Sequence, residues 1–163
     1  MSKRGNLGNL YTGKAGHLAV MAELLRRGWN TAIPDVDRGI DILVVNDNDG
    51  TLRRVQVKTA VAKSLKDEGY NALFNVPLQQ LRTSITTDIT YVFAVWLHDH
   101  WDTFVVINGR IIEDKRQYDM GNESKGKSLL LRLRFKGASI TCGQHDLSQY
   151  RNDWATRFPV IKH

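Results

Sequence analysis

The sequence predicts an α+β (mixed α/β) fold: an N-terminal helix, then a central mixed, mostly antiparallel sheet flanked by further helices. Three observations predict it. An early segment carries apolar residues at helical spacing, the later chain is rich in short β-branched and aromatic runs, and Asn/Asp/Gly clusters of hairpin type separate some of those runs.

After a Gly- and Asn-rich start, Leu18, Met21, Ala22 and Leu25 recur at helical spacing, with Thr12 as cap and Gly28 as stop. A short strand follows over 29–33, and Pro34-Asp35-Val36-Asp37-Arg38-Gly39 reads as a polar turn. Residues 40–45 and 52–58 are β-rich runs around Asn46-Asp47-Asn48-Asp49-Gly50-Thr51, which makes them a hairpin. Residues 71–76 suit a strand, and 78–81 begin a short helix with Pro77 at its first turn. Residues 91–97 and 103–108 flank the polar His98-Asp99-His100 and form a second hairpin. Leu131, Leu133 and Phe135 alternate with Arg132 and Arg134, the pattern of a late strand with one wet face.

No repeat, low-complexity tract or linker divides the chain, so residues 1–163 are expected to form one domain whose core and site share the same stretch. A hydrophobic share of 42% and a charged share of 25% exclude disorder. Lys and Arg outnumber Asp and Glu by 23 to 17, and the resulting charge of +6 favours polyanionic partners such as nucleic acid. The single cysteine, Cys142, excludes an internal disulfide; Met1-Ser2-Lys3-Arg4 leads into no apolar segment, and the longest apolar run, 92–97, is too short to span a bilayer. A cytoplasmic protein without membrane contact is the expectation.

Along a strand side chains alternate faces, so Gln56 and Lys58 point one way and Val55 and Val57 the other. Turning the first hairpin near Asn48 and Asp49 sets Asp41 opposite Gln56, so that carboxylate, amide and ammonium converge. A carboxylate beside a carbonyl oxygen suits Mg²⁺, which keeps several waters and accepts phosphate oxygens. Singly, Asp41 also reads as a residue flanking a strand, Gln56 as a solvated strand residue and Lys58 as a surface lysine; their joint spacing after this helix favours a site.

Gly13-Lys14-Ala15-Gly16-His17 opening a helix, then Arg38-Gly39-Ile40-Asp41-Ile42-Leu43-Val44 and Val55-Gln56-Val57-Lys58, resemble the core of the PD-(D/E)XK (restriction-endonuclease-like) nuclease superfamily. More narrowly, the chain is similar to the subgroup with Gln-x-Lys in place of Glu-x-Lys, which includes some homing endonucleases and Holliday-junction-resolvase-like bacterial proteins. The resemblance covers residues 13–59. It implies a restriction-endonuclease-like core and a metal-dependent endonuclease acting on nucleic acid, DNA above all, with Mg²⁺ or Mn²⁺. Asp41 would be the central metal-binding acid, Gln56 the variable ligand and Lys58 the catalytic lysine; a homodimer is a milder implication. The departure is His17, where the subgroup carries Glu: imidazole suits transition metals better than Mg²⁺. Asp35 and Asp37, in the turn before Asp41, are reserve carboxylates, whereas Glu23 lies opposite the apolar stripe.

Gly8-Asn9-Leu10-Tyr11-Thr12-Gly13-Lys14-Ala15 nearly matches a phosphate-binding loop, but too few residues precede it for a strand and Ala15 lacks the metal-holding hydroxyl. His98/His100 and Cys142/His145 each supply two metal ligands where structural zinc needs four, and Asp47-Asn48-Asp49-Gly50 lacks the ligand series of a calcium loop. Lys3, Arg4, Lys14, Lys63 and Lys66 are the expected phosphate-backbone contacts, with the basic segments 110–116, 125–127 and 132–136 as extensions that singly also read as solvated faces. The competing expectations are a nuclease fold with a decayed metal site that only binds nucleic acid, and a protein-interaction component.

Overall fold

The computed structural model describes residues 4–36 and 38–162, apart from the side chains of residues 4–7 and 84. The helices are α1 (Arg4–Arg26), α2 (Leu78–Thr87), α3 (Gly109–Arg116) and the short α4 (Trp154–Arg157). The strands are β1 (Asn30–Ala32), β2 (Ile42–Val45), β3 (Leu52–Val61), β4 (Lys63–Ser64), β5 (Tyr70–Pro77), β6 (Ile89–Leu97), β7 (His100–Asn108), β8 (Asn122–Ser124), β9 (Ser128–Lys136), β10 (Ser139–Cys142) and β11 (His145–Asp146). No described helix is long and apolar enough to cross a membrane.

Both expected hairpins form, as β2–β3 and β6–β7, and they meet in a five-stranded sheet of order β1-β2-β3-β6-β7. The β3–β6 pairing at its centre is parallel. Parallel neighbours need a crossover, and the segment through β4, β5 and α2 supplies it. A second sheet, of six strands in the order β11-β10-β9-β5-β4 with β8 also beside β9, was not legible as a separate layer in the sequence. Its inner residues Phe74, Leu131, Leu133 and Phe135 pack with Leu81 of α2 and with Tyr91, Phe93 and Ile107 on one face of the first sheet. The opposite face, with Ile42, Val55, Val57, Val92 and Val106, is covered by Val20 and Leu24 of α1 and by Trp154 and Phe158 at the C-terminal end. The alternation that put Leu131, Leu133 and Phe135 inside and Arg132 and Arg134 outside holds along β9.

Helix α1 departs from the expectation in two ways. It starts at Arg4, so Thr12 lies inside it and donates its hydroxyl back to the Gly8 carbonyl (2.9 Å) instead of capping. Its buried stripe is Gly16, Val20 and Leu24, while Leu18, Ala22 and Leu25 face solvent. The reason is steric. A Cβ on Gly16 would overlap Thr59 Oγ1 and lie 3.2 Å from Thr59 Cγ2, so the stripe that packs closest on β3 is the one carrying the smallest residue. The Leu-rich stripe has the same period, but no strand lies under it.

Gly16→Ala is therefore expected to destabilise the fold by about 1–2 kcal/mol, the overpacking penalty outweighing the helix propensity gained. Urea unfolding measures it. Adding Thr59→Ala should recover most of the loss, because Thr59 Oγ1 is buried without a hydrogen-bond partner among the described residues.

Candidate functional site

The antiparallel pairing ends at Ile42 and Val55, and Asp41, one residue earlier, meets Gln56 through its side chain, as the hairpin count anticipated approximately. Asp41 N donates to the Val55 carbonyl (2.9 Å). Beyond it β2 has no further residues, while β3 runs on to Val61, so the next amide of β3 on that edge, Val57 N, lacks a strand partner. The Asp41 carboxylate takes its place: Oδ2 accepts from Val57 N (2.7 Å) and from Gln56 Nε2 (2.6 Å). His17 Nε2, projecting from α1, stands 3.4 Å from the same oxygen. Asp41 and Gln56 are nearly inaccessible, at 9% for the Asp41 side chain and 4% for Gln56. Gln56 Oε1 is buried without a hydrogen-bond partner among the described residues, so it keeps an unused acceptor.

Lys58 shares the Gln56 face of β3, and its ammonium donates to Oε1 of Gln80 on α2 (3.1 Å). Gln80 also packs under the turn that leads to Asp41: Gly39 is buried with φ of +82°, and a Cβ there would lie 3.0 Å from Gln80 Cγ. Only glycine meets both demands cheaply. Gln80 thus connects the Asp41 segment to the Lys58 ammonium. Sequence reasoning missed it, because nothing in a short amphipathic helix marks which glutamine will face a strand more than twenty residues away.

Two cavities flank the N-terminal half of α1 and share Asn9 and Gly13. One, of about 380 Å³, is lined by Asp41 and His17 together with Lys14, Ile33, Pro34 and Ile40. The other, of about 580 Å³, is a polar groove over β3 and the second sheet, with Lys58, Lys63 and Arg132 among its cations and Asn71 and Asn75 among its amides. Of the expected phosphate contacts, Lys14 and Lys63 therefore line the cavities, and Lys66 sits in the exposed turn between β4 and β5. Lys3 lies outside the described residues, as does Asp37, and Arg4 opens α1 without a described side chain. Asp35 is exposed. Glu23 pairs with Arg26 and Arg27 on α1, at 3.3 and 2.9 Å.

The remaining basic segments divide. Arg132 joins the groove, whereas Arg134 pairs with Asp67, and Arg116 is held by Glu113 and Glu123, two carboxylates that raise its pKa further. The near phosphate-loop match 8–15 is continuous helix. The Asn46–Gly50 cluster is a turn in which Asn46 Oδ1 accepts from Asn48 N (3.0 Å) and Gly50 takes φ of +74°. His145 Nε2 lies 2.7 Å from the Tyr118 carbonyl, and Cys142 is buried, which raises its pKa.

As a donor set, one carboxylate, one amide carbonyl and one imidazole fit a divalent cation that completes its shell with water and phosphate oxygens. They do not make a closed structural zinc site, because no three His, Cys, Asp or Glu side chains cluster among the described residues.

No protein-family model matches the chain, and neither does any curated protein sequence. Solved structures do. The bacterial homing endonuclease I-Ssp6803I superimposes with a TM-score of 0.53 at 21% identity, over 88% of this chain and 87% of that one. Hjc, a Holliday junction resolvase from the archaeal hyperthermophile Archaeoglobus fulgidus, superimposes with a TM-score of 0.51 at 10% identity, over 93% of this chain and 98% of its own. One neighbour is a homing endonuclease and the other a Holliday junction resolvase, and the chain, with its N-terminal helix and mixed sheets, shares their α+β fold.

Proposed function

We propose that this chain is a metal-dependent endonuclease that hydrolyses phosphodiester bonds in nucleic acid, DNA being the expected substrate. The observation that carries the reading is the Asp41 carboxylate, fixed by Gln56 and Val57 just before β2, together with Lys58, which lines a basic groove on the same strand face as Gln56. Asp41, Gln56 Oε1 and His17 would hold Mg²⁺ or Mn²⁺. Such a cation, when bound, polarises the phosphoryl group and lowers the pKa of an attacking water. Lys58 orients that water and offsets charge developing on the phosphate, and Lys63, Arg132 and Lys14 position the backbone. The test is a nicking assay on plasmid and branched DNA with Mg²⁺ or Mn²⁺, alongside calorimetric metal titration. Metal binding without cleavage of either substrate would sink the enzymatic reading.

His17 favours a second reading, a nuclease fold that binds nucleic acid without cutting it, because an imidazole stands where the resemblance calls for a carboxylate. His17→Glu separates the two. In an active site it returns a hard oxygen donor, so activity with Mg²⁺ should rise relative to Mn²⁺. It also sets a second carboxylate against Asp41, so the metal-free protein should melt earlier and recover when metal is added. Salt-sensitive DNA binding with no cleavage by wild type or by His17→Glu, under either metal, establishes the second reading.

A further inference from the structure

The polar groove does not end at β3. Thr12 and Val61 line it on one side, and the same two residues form the wall of a cleft of about 380 Å³ with Tyr11, Ala15, Trp96, His98 and Trp101. The two spaces differ in chemistry. Lys58, Lys63 and Arg132 line the groove, whereas no Asp, Glu, Lys or Arg lines the cleft, which carries the rings of Tyr11, Trp96 and Trp101. Asp99, the carboxylate of the neighbouring turn, is hydrogen-bonded to His100 (3.2 Å).

The aromatic set depends on an irregularity in the sheet. Val95 pairs with Thr103 but Trp96 pairs with Trp101, so β7 carries one extra residue, Asp102. Strict alternation from Phe104 would turn Trp101 to the other face of the sheet; the bulge returns it to the face of Trp96 and Phe104. Trp101 then meets Trp96 edge-on at 4.9 Å, and Trp96 Nε1 donates to the His98 carbonyl (3.2 Å), which fixes its ring. Asp102, on the far side, is taken up by Tyr70 and Thr103. Tyr11, on α1, lines the same cleft as the tryptophans and is 76% exposed, with no ring contact among the described residues.

From this we infer that the cleft takes an unpaired nucleobase, flanking the strand whose phosphates lie along Lys58, Lys63 and Arg132. An aromatic cleft opening off a cationic groove is the arrangement that single-stranded nucleic acid requires, because bases stack on rings while phosphates follow the charge. The inference rests on the nucleic-acid reading of the groove, and it narrows the substrate to DNA with unpaired bases beside the bound segment. Net charge of +6 on the chain accords with it.

Two labelled DNAs of equal duplex length, one blunt and one with a ten-nucleotide single-stranded tail, are titrated by fluorescence anisotropy without Mg²⁺ or Mn²⁺, so that binding is read without cleavage. Tyr11→Ala should weaken the tailed DNA by roughly 5- to 100-fold, the stacking of one base, and leave the blunt DNA unchanged. Tyr11→Phe keeps the ring and should bind both like wild type. Octathymidylate should quench tryptophan emission through Trp96 and Trp101. Equal losses on both DNAs, or no loss on either, overturn the inference while leaving the nucleic-acid reading standing. A wild type that sediments as a dimer, dissociates on Tyr11→Ala and ignores the tail makes the cleft a contact between copies and overturns it as well. If the wild type binds neither DNA at low salt, the nucleic-acid reading itself falls, and this inference with it.

Discussion

Asp41→Asn should abolish metal binding and lower cleavage by a factor on the order of 10³ or more, while leaving the fold close to wild type. The choice of substitution follows from the two duties of the carboxylate. Oδ2 satisfies Val57 N at the open edge of β3 and receives Gln56 Nε2, so removing it strands two donors in a nearly inaccessible place. Asp41→Ala therefore mixes a stability loss of about 1–3 kcal/mol with any loss of chemistry. Asparagine keeps an acceptor oxygen for Val57 N and removes only the charge a hard cation needs. Calorimetric titration with Mn²⁺, thermal melts and plasmid nicking, run on wild type and both variants, separate the effects. Should Asp41→Asn cut as fast as wild type, the carboxylate is a strand-edge cap and the chemistry, if any, lies elsewhere.

Lys58→Ala should slow the chemical step by a factor on the order of 10² to 10³ and leave metal affinity within a few-fold of wild type. The expectation comes from placement: Lys58 lines the groove and is held by Gln80, on the same strand face as Gln56 but outside the Asp41 donor set. A residue that orients water and compensates charge in the transition state changes single-turnover rate more than substrate binding, whereas a mere phosphate contact changes affinity and its salt slope. Single-turnover kinetics on saturating DNA decide between these. Gln80→Ala should reproduce a weaker form of the Lys58→Ala defect, because it loosens the ammonium without deleting it. A Lys58→Ala protein whose only loss is affinity at high salt would reduce Lys58 to a backbone contact.

Local periodicity made much of this site legible. Alternation put Gln56 and Lys58 on one face of β3, and the turn cluster at 46–51 determined the hairpin, at whose open end Asp41 meets Gln56. Both depend on neighbours within one hairpin, where geometry allows few alternatives. The basic balance pointed to a polyanion for a similar reason, since net charge needs no knowledge of contacts. What the sequence withheld was every choice between faces or partners far apart in the chain. Two stripes of α1 have helical period, and only the close approach to Thr59 selects the one through Gly16, which is also what aims His17 at Asp41. Parallel pairing of β3 with β6 and the packing of Gln80 against Lys58 join segments more than twenty residues apart. The Asp102 bulge cancels the alternation from which Trp101 would have been placed. Hydrophobic pattern and turn chemistry thus determined the strands, their hairpins and the Asp41–Gln56 pair, whereas packing between layers decided which helix face is buried and which side chains surround that pair.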